Sequence, residues 1–321
     1  MGTYIIRRML GMIPILIGIS IIVFLIMRML PGDVAAMILM GGGEDSTSGV
    51  SAEAVADLRE QLGLNAPLWE QYLNWMWGLL HLDAGVSLWT QKPVFQEIMG
   101  RLPLTLELAL MGLTLSLVIA IPVGVISALK QNNWVDYLFR SFSILGLAVP
   151  GFWLATMLIL CLTMFFNWTP PLGYVGLTQD PWKNIQQLFL PALVIGYSNA
   201  AVIARMTRSA MLEVLREDYV RTAWAKGLNL RSILSVHALR NAMLPILTLA
   251  AIELGHLLSG TVVMETIFTL PGIGRYLIDA IFHRDYPVVQ AIILLMGVLF
   301  VSLNLLVDIL YGVLDPRIRY S

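Results

Sequence analysis

Residues Glu217 to Pro245 read EDYVRTAWAKGLNLRSILSVHALRNAMLP, a basic, amphipathic stretch set between two apolar runs. Asp218 is placed to cap a two-turn helix that Gly227 ends, because an Asp side chain accepts from orphan helix N–H groups and Gly tolerates the left-handed position after a helix. Asn229 is placed to start a second helix. Connections between helices are usually only a few residues long, so two capped helices here imply a surface built to be gripped from outside the chain.

The surroundings of this stretch are those of a bilayer protein. The chain is 58% hydrophobic and 13% charged with a mean hydropathy of +0.77, against roughly 45–50% and about 25% in soluble domains. A membrane span needs roughly 20 apolar residues. Six such runs are expected, making the fold all-α: Met9–Met27, Leu104–Leu129, Ser143–Phe166, Leu188–Ala204, Ala242–Met264 and Val288–Leu314. The fourth is the weakest. It is short, and its Pro191, Tyr197, Ser198 and Asn199 require other helices or a wet cavity as neighbours. Arg7 and Arg8 ahead of the first run suggest a signal peptide, but the run exceeds the roughly 7–15 residues of a cleaved segment and no small-residue cleavage site closes it. It is expected to remain as an anchor.

Lys and Arg set the orientation. In a six-span arrangement Arg7, Arg8, Lys130, Arg140, Arg205, Arg208, Arg216, Arg221, Lys226, Arg231, Arg240, Arg317 and Arg319 share one side, so both termini are expected in the cytoplasm. Four regions follow: 1–29, the tail and first span; 30–103, a small extracytoplasmic helical subdomain; 104–314, a five-span core with its cytoplasmic loop 205–241; and 315–321, a cytoplasmic tail. The net charge of −1 conceals the asymmetry. No extended basic face is left over for nucleic acid. The single Cys161 excludes a disulfide or a cysteine metal site within the chain. Asn167-Trp168-Thr169 fits a glycosylation pattern but abuts the end of a span, where it reads as a chance match.

More than seventy residues, Leu30 to Pro103, separate the first two runs, too many for a passive turn. Gly41-Gly42-Gly43 and Ser46-Thr47-Ser48-Gly49 read as a link. Ser51 then caps a helix that runs to Leu62, with Val55, Leu58 and Leu62 on one face, and Gly63 stops it. Pro67 suits the first turn of a second helix whose Trp69, Tyr72, Leu73, Met76, Trp77 and Leu80 recur at helical spacing. Two readings of this stripe stand. With Trp75 and Trp89 it forms an anchor at headgroup depth, or it forms a docking surface for a soluble protein. Asp33, Glu44, Asp45, Glu53, Asp57, Glu60, Glu70, Asp83 and Glu97 are on the matching side, or form an ordinary solvated face.

No G-x-x-x-x-G-K-[ST] phosphate loop and no H-E-x-x-H occurs. A rhomboid-like protease needs G-x-S-G, and Ser259-Gly260 follows Leu257-Leu258 instead. Ionisable groups inside spans cost about 2.5–3.5 kcal/mol on insertion scales and are functional candidates by default. Glu253 and His256 are three apart and share a helix face; they read as a mutual pair or subunit contact, or as lining of a substrate path. Asp308 reads as a cap or as a contact to a basic loop. Pro122, Gly146, Pro150 and Gly151 are kink sites, which suit either a lined pathway or plain packing.

In their order along the chain these segments resemble the permease subunits of ABC importers, in the dipeptide, oligopeptide and nickel branch. Ala223, Gly227 and Pro245 match the cytoplasmic loop that inserts into the ATP-hydrolysing subunit, with Arg221 and Thr222 where the general motif begins with an acidic residue. Leu30-Pro31-Gly32-Asp33, Leu82-Asp83-Ala84-Gly85-Val86-Ser87, Arg101-Leu102-Pro103, Pro271-Gly272-Ile273-Gly274-Arg275 and Leu314-Asp315-Pro316-Arg317 are similar to that branch's segments. The resemblance implies a bacterial plasma-membrane permease that passes peptides or a related small solute and catalyses nothing. It implies ATPase coupling through Asp218, Tyr219, Arg221, Ala223, Lys226 and Gly227, and Glu253 and His256 are the candidates for the translocation path. The implied partners are a second similar permease, two ATPase subunits that hold ATP and magnesium, an extracytoplasmic binding protein and membrane lipid. No cofactor is expected in this chain. The alternative is a proton-coupled carrier using Glu253, His256 and Asp308, which has no use for the loop at Glu217–Pro245.

Overall fold

The computed structural model of the chain describes residues 2–29, 34–39, 51–61, 63–171 and 173–314. The motif Leu30–Asp33, the link at 41–49, Glu44, Asp45, Leu62, the segment Asp315–Arg317, Arg319 and the side chain of Asp308 lie outside the described residues. Among those described, the regular structure is helical, with one isolated bridge between Val86 and Pro93. Five stretches are long and apolar enough to cross a membrane: Arg8–Met29, Val94–Leu129, Pro181–Val214, Leu230–Ile267 and Tyr286–Val307.

The third expected span differs. Ser143–Phe166 is divided between α6 (Trp134–Ala148) and α7 (Gly151–Phe166), which meet at 101°. Pro150 supplies no N–H, and the residue before a proline is driven out of the helical region; Val149 accordingly adopts φ −90°, ψ 121°. Asn167 closes α7 in the left-handed conformation at φ 50°, so the residue of the apparent glycosylation pattern serves as a helix terminator.

The chain forms two compact units, one of Pro103–Gly274 with the segment from Leu303 onward, the other of Gly2–Leu102 with Arg275–Ser302. In the first, the weakest span of the sequence becomes the most enclosed one. α8 (Pro181–Val214) packs against α6, α7 and α11 (Leu239–Ile267), and 56% of its apolar window is buried. This is why its polar residues are tolerated: the Tyr197 hydroxyl donates to the Phe142 carbonyl at 3.0 Å. The core is built largely from alanine, with Ala120 and Ala128 of α5 (Val94–Leu129), Ala200 and Ala204 of α8, and Ala242 and Ala250 of α11. Small residues let membrane helices approach closely. A Cβ on Gly124 would lie 2.5 Å from Thr207 Cβ and 2.7 Å from the Ala204 carbonyl oxygen.

Two carboxylates pin loops of this unit. Glu107 accepts from Tyr174 and Asn184, each at 2.7 Å; burial, and then this carboxylate, raise the Tyr174 phenol pKa, so it stays a donor. The fully buried Glu265 accepts from Thr105 at 2.7 Å, and Thr105 Oγ1 in turn accepts from the Ile273 N–H at 3.0 Å. Gly272 passes directly over Glu265, where any Cβ would strike its carboxylate.

In the second unit, α2 (Val34–Leu39) comes before α3 (Ala52–Gln61), which starts as its sequence indicates, with Ser51 Oγ accepting from the Ala54 N–H at 3.1 Å, and Gly63 follows it at φ 64°. α4 (Leu68–Leu80) begins one residue later than expected, with Pro67 as its N-cap. Tyr72 and Trp75 of α4 face Phe24 of α1 (Gly2–Met29) at 5.5 and 6.0 Å between ring centroids. The loop that follows α4 is tied down by buried Asp285, which accepts from the Ser87 hydroxyl and from the Leu88 N–H at 3.2 Å. The segment Leu82–Ser87 is thus a scaffold element. Glu97 accepts from Thr90 at 3.1 Å and also from Tyr276 of α12 (Ile273–Phe282).

Overpacking a close helix contact costs about 1–3 kcal/mol. Gly124→Val is therefore expected to lower the melting temperature of the purified protein in detergent by several degrees, whereas Gly260→Ala, whose Cβ meets nothing within 4 Å, should leave it near the parent value.

Candidate functional site

The stretch Glu217–Pro245 forms α9 (Asp218–Ala225), α10 (Leu230–Ser232), a π-helical turn (Ile233–Ala238) and the start of α11. Val220 and Ala223 recur at helical spacing and form the buried face of α9, packed with Ile233 and against Val214 and Leu215. Everything else on α9 is exposed. Gly227 ends the helix at φ 76°. Its N–H donates to the Trp224 carbonyl at 2.9 Å and that of Leu228 to Ala223 at 3.3 Å, the paired bonds of a Schellman ending. Asn229 caps the next helix as expected, its Oδ1 accepting from the Ser232 N–H at 2.8 Å.

One capping expectation fails. The N-cap position belongs to Glu217, which has extended backbone and makes no side-chain cap, and Asp218 is the first residue inside the helix. Its carboxylate points to solvent, 95% exposed, and pairs with Arg221 at 3.4 Å. A negative charge in the first turn still favours the helix through its dipole.

The remaining coupling candidates divide by exposure. Tyr219, Arg221, Lys226 and Gly227 are exposed, while Ala223 is 5% exposed and acts as packing. Tyr219 accepts from Asn241 of α11 at 2.7 Å, which braces α9 against the next span. Sequence reasoning missed three exposed apolar residues on the same surface, Trp224, Leu228 and Leu230. Their signal was present, since large apolar residues in a polar connection between spans have no lipid to face. The π-helical turn had no sequence signal. It places Ile233 and Ala238 fully in the interior.

Earlier on α8 lies an ion pair that sequence reasoning also missed, having counted Arg208 only for orientation. Arg208 of α8 donates to both Asp136 oxygens at 2.8 Å. Asp136, at the start of α6, is wholly buried and also accepts from the Ser127 hydroxyl and the Asn132 N–H. This clamp joins the end of α5, the start of α6 and the last turns of α8 immediately ahead of α9. The planar, bidentate match between guanidinium and carboxylate suits an enclosed site.

On α11, His256 is exposed and Glu253 half-buried. Among the described residues no hydrogen bond or ion pair joins them, so the structure does not bring them together as a direct pair. His256, Ser259 and Thr266 form an exposed polar stripe with Ile252 and Val263 on one face. No group of three metal-ligating side chains occurs among the described residues.

Helices of spanning length, with one exposed amphipathic helix packed between the ends of two of them, define a polytopic membrane protein. Residues 120–320 match the family described as binding-protein-dependent transport system inner membrane component, and residues 1–109 match the N-terminal family of the same membrane components; the chain belongs to this family. It is 43% identical to the dipeptide transport system permease protein DppB of Alkalihalophilus pseudofirmus over the whole of both chains, and 42% identical to DppB of Escherichia coli K12 over 99% of each. A putative peptide transport system permease protein of Brucella abortus is 42% identical over the whole of both. The crystal structure of an amino acid ABC transporter with histidines shares the fold at 15% identity and a TM-score of 0.50, covering 68% of this chain and 94% of its own. The chain is thus a multi-pass inner-membrane permease subunit of an ABC importer, and its relatives are transport components rather than enzymes. They give no support to the proton-coupled carrier.

Removing one partner of a buried ion pair costs about 3–5 kcal/mol, while replacing both costs less. Arg208→Met is expected to reduce stability in detergent strongly, and the double variant Asp136→Asn with Arg208→Gln to recover part of the loss, as read from unfolding midpoints.

Proposed function

We propose that the chain passes peptides, or a related small solute, across the inner membrane, and that α9 receives the movement of separate ATPase subunits that hold ATP and magnesium. The observation that carries this reading is the exposed surface of Tyr219, Arg221, Trp224, Lys226 and Leu228, held in place by the packing of Val220 and Ala223 on Val214, Leu215 and Ile233 and by the Asn241–Tyr219 hydrogen bond. Displacement of α9 would move the ends of α8 and α11 together, because the helix is bonded to both sides. The peptide-permease names of the relatives support the substrate class.

In this reading both termini and α9 face the cytoplasm, which the distribution of Lys and Arg supports. Residues 30–103 then face outward, where acidic α3, carrying Glu53, Asp57 and Glu60, meets the binding protein. On α4, Tyr72 and Trp75 are turned inward while Trp69, Leu73, Trp77 and Leu80 are exposed, which favours the anchor reading of the aromatic stripe. A second, similar permease and two ATPase subunits complete the assembly. The exposed polar stripe around His256, with Glu253 on its flank, lines the substrate path opposite the second permease, since such groups in a span need a wet or polar neighbour.

Gly227→Pro replaces a residue at φ 76° whose N–H is bonded with one locked near −65° and lacking that donor. Membrane insertion should persist while ATP-driven peptide uptake falls at least about tenfold per assembled complex; normal uptake would remove α9 from the coupling route. His256→Leu and Glu253→Gln are expected to change uptake rate or peptide preference with assembly and basal ATP hydrolysis near normal. Reduced complex yield with unchanged uptake per complex would instead assign them to packing.

A further inference from the structure

The connections on the two sides of α9 are built differently. Toward α8 the chain is stiff. Leu215, Arg216 and Glu217 continue the hydrogen bonding of α8 up to α9, their N–H groups donating to the Met211, Glu213 and Val214 carbonyls at 2.9, 3.1 and 3.1 Å, and Arg208 fastens the same helix to Asp136. Toward α11 the chain passes through Gly227 at φ 76°, the short α10 and the π-helical turn Ile233–Ala238.

The π turn has a packing cause. Ile233 is buried with Val220 and Ala223 of α9, whereas Ala238 is buried in the alanine seam with Met211 of α8 and Ala242 of α11. Residues five apart stand about 140° from each other around an α-helix, so α-helical bonding here would turn one of the two away from its cluster. Rings closed five residues back, as where the Leu239 N–H donates to the Leu234 carbonyl, bring both to the same side. The extra residue that this arrangement takes up is also slack: a return to α-helical bonding slides one end of the turn past the other by about 1.5 Å and rotates it by about 100°. Covalent connection through the turn therefore passes on little of a displacement of α9.

A side chain bypasses the turn. Asn241, in the first turn of α11, donates through Nδ2 to the Tyr219 hydroxyl of α9 at 2.7 Å and to the His237 carbonyl of the π turn at 3.1 Å. It ties α9, the end of the turn and α11 together at one point. Asn241 and Tyr219 are both exposed, so neither holds its place by burial. The next residue, Ala242, is fully buried in the core, so the bond ends on a firmly seated helix.

Given that α9 is the helix the ATPase subunits move, the reading on which this rests, we propose that Asn241 is the positioning residue through which that movement reaches α11. Its bond to Tyr219 takes up the slack of the π turn and carries the displacement to the span that bears the His256 stripe.

Asn241→Ala tests this in the assembled importer, reconstituted with its ATPase subunits and binding protein. Peptide uptake per ATP hydrolysed should fall about three- to tenfold, the scale of one lost hydrogen bond, with complex yield and melting temperature near the parent values. Tyr219→Phe keeps the ring and should give the same fall, and the double variant should lose no more than either single one, because all three remove the same bond. Hydrogen exchange locates the loss: ATP should change exchange at 218–225 and at 239–245 in the parent, but at 218–225 alone in Asn241→Ala. Parent-level uptake per ATP in Asn241→Ala, additive losses in the double variant, or an ATP response at 239–245 that survives the substitution would each overturn the assignment. If any of these comes with a normal ATP response at 218–225, the role of Asn241 falls and the coupling reading of α9 stands. A parent in which ATP changes nothing at 218–225 would remove both.

Discussion

The close approach of α8 to α5, α6 and α11 is the constraint on which the rest of the first unit depends. Helices in lipid gain little from hydrophobic burial against one another and associate through packing and interhelical hydrogen bonds. The alanine-rich seam of the first unit provides the packing, and Gly124 lies where no side chain fits against Ala204 and Thr207. With α8 enclosed, its Tyr197 and Arg208 find partners on α6 that would be absent at a lipid-facing position. The last turns of α8 then deliver the chain to α9 at a defined place.

Polar groups inside this protein follow a consistent physical rule: each buried carboxylate holds down something that would otherwise be loose. Asp136 holds the turn between α5 and α6 to α8, Glu265 holds the segment before α12, and Asp285 holds the loop after α4. An unpaired carboxylate in these places would cost several kcal/mol. Gln71 Oε1, Trp75 Nε1 and the Tyr286 hydroxyl depart from the pattern, as buried polar atoms with no hydrogen-bond partner.

Much of this was legible in the chain itself. Apolar runs, the caps at Ser51 and Asn229 and the stop at Gly227 each rest on local chemistry, and local chemistry survives folding. The division of the third span was half legible: Pro150 marked a kink, but the 101° turn depends on what packs around it. The enclosure of α8 was half legible: Pro191, Tyr197, Ser198 and Asn199 called for other helices or a wet cavity as neighbours, but their polarity weakened the apolar signal and no spacing rule named the helices that surround it. Asp136 and Arg208 are 72 residues apart, and no spacing rule connects them. Ala223 belonged to a recognised motif, yet only the buried packing of Val220, Ala223 and Ile233 reveals that it supports the surface rather than forming it. Trp224 and Leu228 went unnoticed for the opposite reason, since apolar residues attract no attention in a chain that is 58% hydrophobic.

The central claim is that the outward face of α9 is where an ATPase subunit binds. Single cysteines at position 224, on the exposed face, and at position 223, on the buried face, placed in a background where Cys161 is replaced, test it directly. The complex would be treated with a short reagent that couples the introduced thiol to a lysine amine of a neighbouring subunit, with and without ATP. The account predicts a cross-link from position 224 to the ATPase subunit, changed in yield by ATP, and none from position 223. Position 224 reacting freely with a bulky soluble thiol reagent in the assembled complex, with no cross-link to the ATPase, would contradict it.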